Sequence, residues 1–260
     1  MATRRPPTVH IEKRDAREAL AALPVRSISV LITDPPYATV DRKPARAHLG
    51  RWFAKSLSWR AIGEVLAIAR SRMRPDGIAF VMTNAAGLHD AIEALETAGF
   101  RRVRPITWDK RAPGLGGGLR HQTEFVLVGH LPASRSLAGV DLVSVAAVGP
   151  ATAGRYPTEK PADLGRELAA MAAVGRADHV VDPFCGSGAL LVGAAERGAT
   201  VTGYDLATNA VTRATSRLVA GRTPAGPVRA AREPRRASAP AGAKPPKARG
   251  GIMTRKPGPR

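Results

Sequence analysis

His179-Val-Val-Asp-Pro-Phe-Cys-Gly-Ser-Gly188 is the stretch whose reading decides the fold. His179 to Asp182 reads as a short buried strand, and Pro183 halts it because proline cannot donate to a ladder. Gly186 and Gly188 make a turn in which a ligand can approach the backbone, since glycine has no Cβ and enters positive φ freely. Ala189 to Arg197 then carries a helical pattern, Thr200 to Tyr204 a second strand, and Asp205 follows it directly. Strand, glycine turn, helix, strand and acid form the βαβ half of an open, nucleotide-binding α/β sheet.

The residues also narrow the ligand. Asp205, at the end of its strand, is placed to take two ribose hydroxyls. A dinucleotide fits poorly, because Leu191 stands where the fingerprint has its third glycine and Asp182 would repel a pyrophosphate. A carboxylate there suits a cationic ligand. S-Adenosylmethionine carries an ammonium and a sulfonium and no phosphate, so it suits both the acid and the glycines.

Further toward the N-terminus, Leu31-Ile-Thr-Asp-Pro-Pro-Tyr37 ends a second apolar run, Ile28 to Ile32. Two consecutive prolines forbid a helix and further pairing, so the strand stops in a rigid turn. Asp34, Pro35, Pro36 and Tyr37 thereby stand at the carboxyl end of a strand, where such sheets hold ligands. The Asp34 carboxylate and the Pro35 carbonyl can accept the two hydrogens of an exocyclic amine while Tyr37 stacks on the ring. The combination suits a flat, amino-bearing ring.

The remaining pattern supplies a frame for these two sites. Val9 to Ile11 is a strand, Ala16 to Leu23 a helix stopping before Pro24, and Trp59, Ile62, Leu66, Ala69 and Met73 recur at helical spacing until Pro75-Asp76-Gly77. Ile78 to Met82 is a strand, Leu88 to Leu95 a helix closed at Gly99, and Val103 to Trp108 and Phe125 to Val128 are strands. A strand-like run spans Val140 to Val148, Pro161 opens a helix to about Ala172, and Asn209 to Leu218 is the last helix. Two loops are basic. Residues 38–57 carry Arg42, Lys43, Arg46 and Arg51, and the glycine-rich connection 110–121 carries Lys110, Arg111, Arg120 and His121, all candidate contacts to the phosphates of a nucleic acid.

Charge points to a polyanionic partner, for the 260 residues carry a net charge of +19. Between residues 222 and 260, eleven Lys and Arg against Glu233 alone give +10, so residues 1–221 keep +9. The tail has no core-forming pattern and is expected to be disordered. A single cysteine, Cys185, excludes an internal disulfide, and six histidines without ligand spacing argue against a structural metal site. Nothing resembles a targeting or membrane-spanning segment, so a cytoplasmic protein held at the nucleoid through DNA is expected.

Asp34-Pro35-Pro36-Tyr37, Tyr156-Pro-Thr-Glu-Lys-Pro161 and Asp182-Pro-Phe-Cys-Gly-Ser-Gly188, in that order, resemble the DNA amino-methyltransferases in their circularly permuted β arrangement. The resemblance covers about Val9 to Leu218. It implies a doubly wound α/β fold with a seven-stranded, mostly parallel sheet and one antiparallel strand, matching the seven main strand segments above. It implies a domain over 1–221, with a catalytic half at about 24–130, a short recognition segment at 131–154, and a cofactor half at 155–221 joined by 8–23. It further implies that Phe184, Gly186 and Gly188 line the methionine and sulfonium end of S-adenosylmethionine in a turn whose Asp182, Pro183 and Ser187 also contact the cofactor, that Asp205 takes the ribose and Asp15 the adenine, and that Thr158 and Lys160 close the methionine side. Tyr156 stands where the family often has His.

The implied reaction is methyl transfer to the exocyclic amine of a base flipped out of double-stranded DNA. Asp-Pro-Pro-Tyr goes mostly with adenine N6 in this family and a Ser in the first place with cytosine N4, so adenine is favoured and cytosine is the alternative. An inactive DNA-binding protein on the same scaffold, or methylation of RNA or protein, are further alternatives. The resemblance allows a homodimer, which no sequence feature shows.

Overall fold

The structure is a computed structural model that describes residues 8–37, 56–114, 118–148 and 159–220. These residues fall in one unit, bounded Met1–Ala225. Their strands form a single sheet: β1 (Val9–Lys13), β2 (Ile28–Thr33), β3 (Met73–Thr83), β4 (Arg101–Asp109), β5 (Thr123–His130), β6 (Leu142–Ser144), β7 (His179–Asp182) and β8 (Thr200–Asp205). The helices are α1 (Ala16–Ala22), α2 (Trp59–Arg72), α3 (Leu88–Thr97), α4 (Ala162–Met171), α5 (Val192–Glu196) and α6 (Thr208–Ala220).

Strand order is β1-β8-β7-β2-β3-β5-β4-β6, and only β5 runs antiparallel to its neighbours. The seven expected strands are present, and the sheet has eight because the strand-like 140–148 run contributes β6. Only Leu142–Ser144 of that run pairs, alongside Thr107–Asp109 of β4. Burial alternates with the period of two that a pleated strand imposes. Val30, Ile32, Phe80 and Val180 face α4, α5 and α6, whereas Leu31, Ala79, Val81 and Val181 face α1, α2 and α3. Every residue of β2 is buried, as expected of a parallel strand covered on both sides.

One local expectation is corrected. α2 ends at Arg72, and Pro75-Asp76-Gly77 lies inside β3 rather than closing the helix. β2 advances from Ile28 to Val30 while β3 advances from Met73 to Ile78, so the Pro-Asp-Gly segment bulges out of the pairing. A bulge is where a sheet tolerates proline. Two smaller shifts follow the same logic of local geometry: Pro161 is the N-cap of α4 rather than its first turn, and the helix after Gly188 begins as a 3-10 turn over Ala189–Leu191.

β2 and β7 lie side by side in parallel, Val30 opposite Val180 and Leu31 opposite Val181. From β2 the chain winds toward β3, and from β7 toward β8, so the order reverses between them. That reversal opens a crevice beyond the carboxyl ends of the two strands. No helix among the described residues is long and apolar enough to cross a membrane.

Candidate active site

Both sequence motifs project into this crevice end. Thr33, the last residue of β2, donates a 2.6 Å hydrogen bond from Oγ1 to Asp182 Oδ1 at the end of β7. The same oxygen accepts the Phe184 amide at 3.0 Å. Asp34 follows Thr33 at once, so the Asp-Pro-Pro-Tyr turn and the glycine turn are joined by one buried bond.

The Asp-Pro-Pro-Tyr turn is held from both sides. The Tyr37 amide donates to the Pro35 carbonyl at 2.8 Å, closing a three-residue turn, and the Leu57 amide donates to the Pro36 carbonyl at 2.7 Å. Ser58 caps α2 through the Ala61 amide, and Trp59 in its first turn stacks on Tyr37 with centroids 5.2 Å apart.

In the glycine turn, Gly186 and Gly188 have φ of 50° and 73°, the left-handed region where a Cβ is penalised. Gly186 donates its amide to Asp205 Oδ2 at 3.0 Å, and Ala207 donates to Oδ1 at 2.8 Å. A Cβ on Gly188 would also stand 2.9 Å from the Ala214 Cβ, so α6 packs directly on the turn. Arg217 of α6 donates to the Ser187 carbonyl and hydroxyl and pairs with Glu159, which Arg213 also reaches at 3.6 Å. Glu159 is one residue before Lys160, so α6 ties the segment leading into α4 to the glycine turn.

Lys160 Nζ lies 2.6 Å from Asp34 Oδ2 and 3.7 Å from Glu124 Oε2. Glu124 Oε1 in turn meets Lys110 Nζ at 3.2 Å. Acids therefore follow one another along the carboxyl edge of the sheet: Asp15 after β1, Asp205 on β8, Asp182 on β7, Asp34 after β2, then Glu124 on β5. Burial pushes Asp34 above the ordinary carboxylate range, with Lys160 opposing through its charge and hydrogen bond and Glu124 adding to the rise. Burial works against the Lys160 ammonium, but Asp34, Glu124 and Tyr37 outweigh it and hold it above the usual lysine range.

Asp182 is pushed up to about 7 by burial, against the Thr33 and Phe184 bonds and with the charges of Asp34 and Asp205 adding to the rise. Burial likewise raises Asp205, opposed by the amides of Ala207, Gly186 and Leu206. The Cys185 thiol is buried beside these acids and raised well above its ordinary value, which makes it a poor nucleophile.

The predicted site residues divide into three groups. Asp34, Pro35, Pro36, Tyr37, Asp182, Pro183, Phe184, Gly186, Ser187, Gly188 and Asp205 converge at the crevice. Asp15 sits at the adjoining end of β1, where it caps α1 through the Arg17 amide, and Arg14 donates to the Asp205 carbonyl. Lys160 was assigned by resemblance to the methionine side, and its ammonium is found on Asp34. Of the predicted DNA contacts, Lys110 is only 13% exposed and committed to Glu124, and Arg111 bonds Ser144 through its hydroxyl and carbonyl. Arg120 and His121 are exposed. Thr158, Arg42, Lys43, Arg46 and Arg51 lie outside the described residues, as do Tyr156 and the tail.

Sequence reasoning missed Glu124, Trp59 as a partner of Tyr37, and the Glu159–Arg217 tie. The one local signal was Glu124 itself, a lone acid heading the apolar run Phe125 to Val128. Among the described residues no group of acids, histidines and cysteine could hold a metal ion.

The crevice at a switch point, with the Asp-Pro-Pro-Tyr turn and the glycine turn on adjacent strands, defines a class. The chain has the permuted, Rossmann-like α/β fold typical of S-adenosylmethionine-dependent methyltransferases. Residues 154–231 match the family described as RMKL-like, methyltransferase domain (UPF0020). The chain is 24% identical over 222 residues to the type II methyltransferase M2.DpnII of Streptococcus pneumoniae, covering 74% of this chain and 82% of that one. It is 24% identical over 239 residues to M2.LlaDCHI of Lactococcus lactis subsp. cremoris, covering 80% and 88%. Among solved structures, the PvuII DNA methyltransferase, cytosine-N4-specific, superposes with a TM-score of 0.65 at 16% identity, over 82% of this chain and 89% of that one. The M1.HpyAVI–SAM complex does so with a TM-score of 0.61 at 19% identity, over 81% and 100%.

Proposed function

We propose that this chain methylates the exocyclic amine of a flipped base in double-stranded DNA, adenine N6 before cytosine N4, with S-adenosylmethionine as the donor. The observation that carries the reading is the Thr33–Asp182 bond, because it joins the amine-binding turn to the glycine turn at one crevice. The donor fits the residues present. The turn from Asp182 to Gly188 leaves the Gly186 backbone partly exposed, with Gly188 packed under α6, and is bordered by Asp182, Asp205 and Asp15, a set that favours a cation and disfavours a phosphate.

An aromatic amine is a weak nucleophile because its lone pair is delocalised into the ring. Asp34 and the Pro35 carbonyl accept its two hydrogens and return density to nitrogen. The Pro35 carbonyl already accepts from the Tyr37 amide, and its second lone pair remains for the amine. Tyr37 stacks on the extruded ring and offsets part of the unstacking cost of a few kcal/mol. S-Adenosylmethionine supplies an electrophilic methyl: the amine lone pair forms the N–C bond, the electron pair of the C–S bond stays on sulfur, and one amine proton is lost to Asp34 or water. Holding the amine in line between Asp34 and the glycine turn contributes much of the acceleration. Asp182, Phe184 and Ser187 line the donor's methionine end in this reading, Asp205 the ribose and Asp15 the adenine.

The M2.DpnII and M2.LlaDCHI likenesses, at 24% identity, favour a methyltransferase over a binding protein on the same scaffold. So does the joint presence of Asp34, Tyr37, Gly186, Gly188 and Asp205, which binding alone does not require. The net charge of +19 suits a DNA partner. Incubating the full chain with duplex DNA and methyl-labelled donor, then digesting to nucleosides, tests the proposal. Label in N6-methyladenine is the expected result, label in N4-methylcytosine would reassign the base, and no labelled nucleoside would overturn the reading.

A further inference from the structure

Lys160 stands apart from every role the sequence suggested for it. Its side chain is 13% exposed, and its ammonium lies between two acids, Asp34 at 2.6 Å and Glu124 at 3.7 Å. Glu124 is itself balanced by Lys110 at 3.2 Å. The four groups come from four parts of the fold: the end of β2, the segment before α4, the start of β5 and the end of β4. Together they form a row of alternating charge that sums to zero. Among the described residues, Lys160 is the one cation within ion-pair distance of Asp34. Its hydrogen bond goes to Asp34 Oδ2.

Resting on the proposed role of Asp34, we propose that Lys160 is a positioning residue for methyl transfer: anchored against Glu124, its ammonium keeps the part-buried Asp34 carboxylate ionised and turned so that Oδ1 receives the target amine. The need for such a partner follows from what surrounds Asp34. Burial favours the neutral acid, and Glu124 from β5 pushes the same way, while Asp182 from β7, the other nearby acid, is itself raised by the Asp34 charge. A protonated Asp34 would withdraw an acceptor and offer a donor to the amine, the opposite of what the nitrogen needs. Lys160 is not the base that takes the amine proton, because Asp34, Glu124 and Tyr37 together hold its ammonium protonated. Its place on Asp34 also separates this role from that of a lysine closing over the donor's methionine end.

The test is a carboxyl carbon titration by NMR on the full chain labelled at aspartate, with the Asp34 signal identified from its loss in Asp34→Asn. In Lys160→Met the Asp34 midpoint should rise by at least about one pH unit, as expected when an opposite charge within hydrogen-bond reach is removed. Lys160→Arg should restore the midpoint to near its original value, and the affinity for S-adenosylmethionine by calorimetry should stay unchanged in all three. The acid limb of kcat/KM for DNA methylation should move upward with the midpoint. Lys160→Gln replaces the methionine variant if circular dichroism shows that one unfolded. An Asp34 midpoint that does not move, or a loss of donor affinity in its place, would overturn the inference. A midpoint that moves while neither wild type nor variant methylates DNA would support the Lys160–Asp34 coupling and overturn the proposed function.

Discussion

The rings of Tyr37 and Trp59 lie 17° from parallel with their centroids 5.2 Å apart, so Tyr37 is backed by a second aromatic ring that belongs to the core. Trp59 is fixed by the capped start of α2 and covers one face of Tyr37. A base stacked on Tyr37 would extend the pair to three rings. Base–aromatic stacking contributes about 1–3 kcal/mol, so Tyr37→Ala should lower kcat/KM for duplex DNA by roughly ten- to a hundredfold. Affinity for S-adenosylmethionine should not change. Steady-state methylation and calorimetry check the two halves, and an equal loss in both would assign Tyr37 to the donor side instead.

Asp34→Asn keeps the shape of the turn and removes the charge. Deleting one preorganised polar group costs roughly a hundredfold or more in turnover, and that is the expected fall in kcat. Glu124 still holds Lys160 in this variant, so the fold and donor affinity should persist. Single-turnover methylation measures the effect, and an unchanged rate would remove Asp34 from the chemistry.

Asp182 gives the fold a pH signature. Its carboxyl is pushed up to about 7, chiefly by burial, from an ordinary value of 3.8. Between those values the folded state holds a proton that the unfolded chain has released, so this group lowers stability as pH rises through the window. Asp182→Asn keeps the acceptor for Thr33 and Phe184 but has no charge to bury. Relative to wild type, the variant should therefore gain stability as pH rises from about 4 to about 7 and hold the gain above that. Urea unfolding across pH measures the difference, and a flat difference would mean that Asp182 ionises freely.

Removing residues 222–260 takes away a charge of +10 and leaves +9 on the rest. If the tail adds sequence-independent phosphate contacts, the truncated chain should bind duplex DNA with a shallower dependence on salt while modifying the same sites. Binding titrations at several salt concentrations, with mapping of methylated positions, check both parts. A changed target site would place recognition in the tail.

Much of this protein could be read from its sequence because the decisive features are local. Proline after a strand, glycine where φ is positive, and apolar period in strands and helices act within a few residues, so β2, β7, β8 and both turns were legible, and the motif order implied the permuted sheet. Local rules erred where pairing with a distant strand decided the outcome. Pro75-Asp76-Gly77 signals a helix end, yet β2 draws Met73 into β3 and leaves the triplet as a bulge. The run 140–148 shortens to the three residues that β4 can pair.

Charge partners were beyond the sequence altogether. A lysine and an aspartate 126 positions apart carry no mutual signal, and only the adjacency of β2 to β7, with β5 entering antiparallel, brings Lys160 onto Asp34 beside Glu124 and pairs Lys110 with Glu124. The chain itself determined which chemical groups exist and how each local turn presents them. The tertiary structure decided which of them meet, because buried charges answer to neighbours in space, and those neighbours are set by strand order.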